Sequence, residues 1–191
     1  MRGSPRLLKR VNYFSGQLLT SADLIAEQEY HLNRWRRHNQ WCHGWGVVGG
    51  LELTVTGSTV VVSPGMALDC AGDEVCLAAP ASVSLPTRVG TPAIRYVVLS
   101  ALEELTDPVP VLGTPEAPEL PLWYSRVVET SRPSLVAADP AAGHQSREGR
   151  CRVCGRSHGV TLGRLRRAGN RWRVDARYRR CRASVCSGAT R

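Results

Sequence analysis

The chain has 191 residues, 42% of them hydrophobic but only one of them Phe, so Val, Leu and Trp must fill its core. The basic first ten residues are followed by no apolar leader, and no apolar run approaches the roughly 20 residues that cross a bilayer, which points to a cytoplasmic product with no membrane partner. The formal charge of +9 is uneven: 14 Arg against Asp139, Glu148 and Asp175 in residues 139–191 leave the remainder slightly acidic.

Residues 1–50 read as a lead-in, one long helix and its exit loop. Thr20-Ser21-Ala22-Asp23 has the form of a capping box, in which Thr20 and Asp23 satisfy the open amides of a helix start. The helix then runs from Ser21 to about Trp41, with acids in its first half and Arg34, Arg36 and Arg37 in its second, as the helix dipole favours. Leu24, Gln28, Leu32, Trp35 and Cys42 recur at helical intervals and predict a buried stripe. Gly44 and Gly46 end the helix and turn the chain.

Residues 51–138 read as a β domain. Leu51 to Val55 alternates and turns at Gly57-Ser58 into Thr59 to Val62. Met66 to Cys70, Glu74 to Leu77 and Val83 to Leu85 follow as short strands, then Ile94 to Leu102 as a longer one. Proline-rich connections at 107–121 are expected to run extended over the surface before a strand from Trp123 to Glu129. Asp69, Asp73 and Glu74 sit where a β-turn uses acids, so they need no catalytic role. The spacing predicts a mainly β fold with one long N-terminal helix (α+β), its strands forming a small antiparallel sandwich or barrel.

Residues 139–191 read as an Arg-rich, Cys-rich, zinc-ribbon-like hairpin, with Val160 to Leu165 and Arg171 to Ala176 flanking a turn at Ala168-Gly169-Asn170. Cys151-x2-Cys154-Gly155 and Cys181-x4-Cys186 lie on either side of it, so Cys151, Cys154, Cys181 and Cys186 are the candidate ligands of a tetrahedral zinc, with His158 as an alternative ligand. Cys42, Cys70 and Cys76 are scattered and read as small apolar side chains. Arg164, Arg166, Arg167, Arg171 and Arg173, interleaved with Trp172, suit an acidic protein surface or, as the second reading, nucleic acid. No nucleophile elbow, phosphate loop, dinucleotide fingerprint or HExxH motif occurs, so the sequence gives no reason to expect an enzyme.

The stretch Val11-Asn12-Tyr13-Phe14-Ser15-Gly16-Gln17-Leu18-Leu19-Thr20-Ser21-Ala22-Asp23-Leu24, then Glu27 to His31, His38-Asn39, and His43-Gly44-Trp45-Gly46-Val47-Val48-x-Gly50-Leu51 resembles a family encoded beside contractile phage-tail-like particles, the extracellular contractile injection systems. Ser63-Pro64-Gly65-Met66-Ala67-Leu68-Asp69-Cys70-x-Gly72-x-Glu74 and Ser125-Arg126-Val127-Val128-Glu129 are similar to its later parts. The resemblance implies a non-catalytic structural or adaptor subunit, associated with a tail or baseplate and partnered by other subunits of the particle. The alternative is a nucleic-acid-binding zinc-ribbon protein. Under the first reading Trp35, Trp41 and Trp45 are expected to anchor the helix on a partner, and the Arg-rich hairpin to dock on an acidic surface.

Overall fold

A computed structural model describes residues 7–87, 93–109, 123–144, 154–169 and 171–184. Helix α1 (Ser21–His38) starts at the expected capping box: the Thr20 hydroxyl accepts from the Asp23 amide, and the Asp23 carboxylate accepts from the Thr20 amide. It widens into a π-helical turn, Asn39–His43, which Gly44 ends at φ +76°. The predicted helix end at Trp41 therefore falls inside this turn.

The expected buried stripe is not buried. Leu24, Leu32 and Trp35 are 55%, 45% and 64% exposed, Cys42 is exposed, and α1 has no buried residue. The reason is where the helix is tied down, which is its C-terminal end. Arg36 pairs with Asp73, Asn39 Nδ2 donates to the Gly72 carbonyl at 2.8 Å, and Gln40 Nε2 donates to the Ala71 carbonyl at 2.7 Å. Gly72 sits at φ +92° so close to the helix that a Cβ would lie 2.4 Å from the Arg36 carbonyl oxygen, so only glycine allows this approach.

The strands are β1 (Gly46–Gly50), β2 (Leu53–Thr56), β3 (Thr59–Val62), β4 (Gly65–Leu68), β5 (Glu74–Leu77), β6 (Ala81–Ser84), β7 (Ile94–Val109), β8 (Trp123–Val136), β9 (Val160–Ala168) and β10 (Arg171–Val174). They form three antiparallel sheets, ordered β1-β4-β5, β2-β3-β6 and β10-β9-β7-β8. The helix exit, expected as a loop, is strand β1. The segment around residues 181–184 closes over it: the Val47 amide donates to the Cys181 carbonyl and the Ala183 amide to the Val47 carbonyl. A Cβ on Gly46, at φ +117°, would meet the Cys181 carbonyl carbon at 2.5 Å.

The C-terminal hairpin is part of the largest sheet, because β9 lies between β7 and β10. Val47, Val60, Val62, Val97, Leu99 and Val160, drawn from all three sheets, are buried together. The β7–β8 ladder outruns the rest of its sheet. β9 pairs with β7 only over Ile94–Leu99, whereas β7 and β8 stay paired from Tyr96↔Val136 to Val109↔Trp123. Both strands are longer than the sequence suggests. Pro108 is accommodated near the open end of the ladder, and Pro133 lies on β8, the outer strand of the sheet.

Candidate metal centre

Four side chains from three separate segments converge beside α1's attachment. Cys70 follows β4 in the turn at 69–73, His144 ends the turn at 140–144, and Cys154 and His158 lie in the run leading to β9. One ligand atom from each lies within 4.8 Å of all the others. Cys70 Sγ is 3.4 Å from His144 Nδ1, and the two imidazole centroids are 4.8 Å apart. A tetrahedral zinc with sulfur and nitrogen ligands has ligand–ligand edges of roughly 3.3–3.8 Å, so little movement separates this arrangement from coordination geometry.

The surroundings prepare each ligand. The Asp69 carboxylate, almost fully buried, accepts from the amides of Ala71 and Asp73 at 2.8 and 2.9 Å, which fixes the turn that carries Cys70. Asp139 does the same for the Ala141 amide and also accepts from the Thr161 and Tyr178 hydroxyls, anchoring the His144 turn to β9. The Arg156 amide points at Cys154 Sγ across 3.4 Å. His158 Nδ1 contacts the Gly159 carbonyl at 2.9 Å, a bond it can make only as donor; this leaves Nε2 as the lone-pair nitrogen, and Nε2 is buried with no hydrogen-bond partner. The Trp45 ring meets His144 and His158 edge-on at centroid distances of 5.4 and 5.7 Å and walls the group from one side.

Burial pushes the Cys70 thiol up to about 12, against a backbone hydrogen bond from Cys154 that favours the thiolate. Burial also lowers His144, with His158 contributing. Both shifts favour the neutral side chains and follow from the partial burial of the group.

The fold built around this group has counterparts of known structure. No protein-family model and no curated protein sequence matches the chain. A chain in the type VI secretion system TssK-TssF-TssG baseplate subcomplex matches at TM-score 0.53 and 15% identity, over 91% of this chain and 62% of that one. A chain in the baseplate complex from the type VI secretion system matches at TM-score 0.51 and 16% identity, over 92% of this chain and 60% of that one. The fold is similar to that of baseplate chains. The present chain spans about three-fifths of the length of those it matches.

The structure distributes the residues singled out in the sequence. Cys154 and His158 enter the four-ligand group; Cys70 and His144 join them. Cys181 is buried beside β1 and disulfide-bonded. Cys151 and Cys186 lie outside the described residues. Trp35 and Trp41 are exposed by 64% and 41%, but Trp45 is 2% exposed, so its ring packs within this chain and is not presented to a partner. Arg164 and Arg166 both bond Asp175 at 2.8 Å, and Arg167 stacks over the Trp172 ring. Arg171 and Arg173 are exposed on β10, with Trp172 buried between them and its Nε1 donating to the Pro86 carbonyl. Val174, two residues beyond Trp172 on the same strand, is 40% exposed.

Proposed function

We propose that the chain is a non-catalytic structural or adaptor subunit of a contractile injection particle, associated with its baseplate. One observation carries the reading: the outer half of the β7–β8 ladder is a two-stranded ribbon bearing Leu105, Trp123, Tyr124, Val127 and Val128, each at least 45% exposed. A lone two-stranded ribbon is marginal in water, and apolar rows of this kind mark surfaces that neighbouring subunits cover. Helix α1 adds Leu24, Ile25, Leu32 and Trp35 as a second uncovered apolar stretch. The likeness to baseplate chains supports the same reading through the fold. The acidic groups considered for catalysis have structural partners: Asp69 holds a turn and Asp73 pairs with Arg36.

Arg171 and Arg173 suit an acidic neighbour within such a particle. The internal pairing of Arg164, Arg166 and Arg180 weighs against a nucleic-acid interface, which draws on unpaired cations. A metal at the four-ligand centre has a structural part in this reading, since all four ligands tie chain segments together. Deleting the gene and imaging purified particles tests the role. The expected result is particles with incomplete baseplates, restored by supplying the gene in trans; normal particles lacking this protein in the parent strain would remove the proposal.

A further inference from the structure

We infer that Cys70, His144, Cys154 and His158 form a structural zinc site that fastens the end of helix α1 and the lead-in to β9 onto the β body. The inference is independent of which particle, if any, the chain serves. Its ligand set differs from the four-cysteine grouping that sequence spacing suggests, because Cys70 and His144 belong neither to the paired-cysteine motifs nor to the alternative ligand His158.

Three observations converge. Four soft or borderline donors, Cys70 lying 74 residues before the nearest of the other three, meet within 4.8 Å, and two sulfurs with two imidazole nitrogens is a ligand set that selects zinc in tetrahedral geometry. His158 Nε2 is buried without a partner, an arrangement that costs free energy unless something accepts its lone pair. The outer contacts are those of a metal site: the His158 Nδ1–H to Gly159 carbonyl bond sets the tautomer and aims Nε2, and the Arg156 amide faces the Cys154 sulfur.

Coordination would form two bonds from thiolate sulfur and two from imidazole nitrogen to Zn2+, with the two thiol protons released to solvent and no change of oxidation state. Two thiolates balance the 2+ charge, so the centre is neutral and can sit in a partly buried pocket. The turn carrying Cys70 is also the receptor for α1, since the Cys70, Ala71 and Gly72 carbonyls accept from Gln40 and Asn39. Fixing this turn therefore fixes the direction in which the helix leaves the body.

The test uses the full chain, purified with reductant and without chelator. Metal analysis should find about one equivalent of zinc, and X-ray absorption of the wild-type protein should report two sulfur and two nitrogen neighbours. Cys70→Ser and Cys154→Ser should each weaken zinc binding by more than the roughly 10–100-fold that outer-contact changes cost. Cys42→Ser and Cys186→Ser should leave binding unchanged. Chelation should speed hydrogen exchange in the turn at 69–73 and in residues 36–43. A four-sulfur spectrum, or loss of zinc in Cys186→Ser with retention in Cys70→Ser, would assign the metal to the paired cysteines and overturn the inference. Failure of the wild-type protein to bind either zinc or cobalt would do the same. The wild-type spectrum decides the matter even where a ligand variant fails to fold.

Discussion

The two halves of the β7–β8 ladder make opposite use of the same secondary structure. At the inner half, β9 continues the sheet on the far side of β7, and Val97, Val98 and Leu99 are nearly inaccessible. At the outer half the ladder continues with neither strand packed under a core, and Leu105, Val127 and Val128 face outward. Main-chain pairing runs through both, interrupted at Asp107 opposite Ser125, so hydrogen bonding alone does not distinguish them; burial does. The inner half is held by this chain, and the outer half is consistent with being held by another. Helix α1 belongs with the outer half: it is well capped and tied at one end, yet its apolar residues are uncovered.

Substitutions in the two regions should therefore separate stability from assembly. Trp45→Ala, in the core and against both candidate imidazole ligands, should lower the unfolding free energy by about 3–5 kcal/mol in a denaturant titration. A loss below about 1 kcal/mol would mean that the ring contributes little to the core, contrary to its 2% exposure.

An intermediate effect is expected at Asp175, which links the two strands of the C-terminal hairpin. Burial would raise its pKa, but the Arg177 amide and the Arg164 and Arg166 guanidiniums outweigh this and hold the carboxyl below its ordinary 3.8. A depressed carboxyl contributes stability that is complete above its unfolded value and is lost as pH falls through the folded one. The wild-type midpoint should thus drop on acidification below about pH 4, and Asp175→Asn should begin lower and show a shallower acid decline. Parallel pH profiles for the two proteins would show that the Arg164 and Arg166 pairs are too solvent-screened to count.

The smallest effect on stability is expected on the ribbon. Trp123→Ala should change the unfolding free energy of the isolated chain by no more than about 0.5 kcal/mol, despite removing a residue of the same type as Trp45. A cost comparable to that of Trp45→Ala would erase the distinction between the two halves of the ladder.

What the sequence made legible was local. The Thr20–Asp23 capping box, the Gly57-Ser58 hairpin and the β9–β10 turn depend on neighbouring residues and occur where expected. Periodicity predicted a buried stripe on α1 that the structure leaves exposed, because a pattern shows which residues share a face and not whether this chain covers them. The reach of β7 was hidden by Pro108, which reads as a strand breaker and is tolerated near the open end of an edge ladder. Half of the candidate metal centre was likewise invisible. Cys154 and His158 carry a local spacing signal, whereas Cys70 and His144 are 74 positions apart, and only the packing of their turns beside Trp45 brings them together. The clue available at Cys70 was its place beside Asp69 in a tight turn, where its backbone is held fixed.

The most direct test of the assembly reading compares particle incorporation for the wild-type chain and a Trp123→Asp/Val127→Asp variant. Both are expressed in a strain lacking the gene, and purified particles are quantified by mass spectrometry. The variant is expected to fold with wild-type stability as an isolated chain but to be depleted from particles by at least about tenfold, the effect of losing about 1.4 kcal/mol of docking free energy. Incorporation at the wild-type level, or absence of the wild-type chain from particles, would contradict the assembly reading.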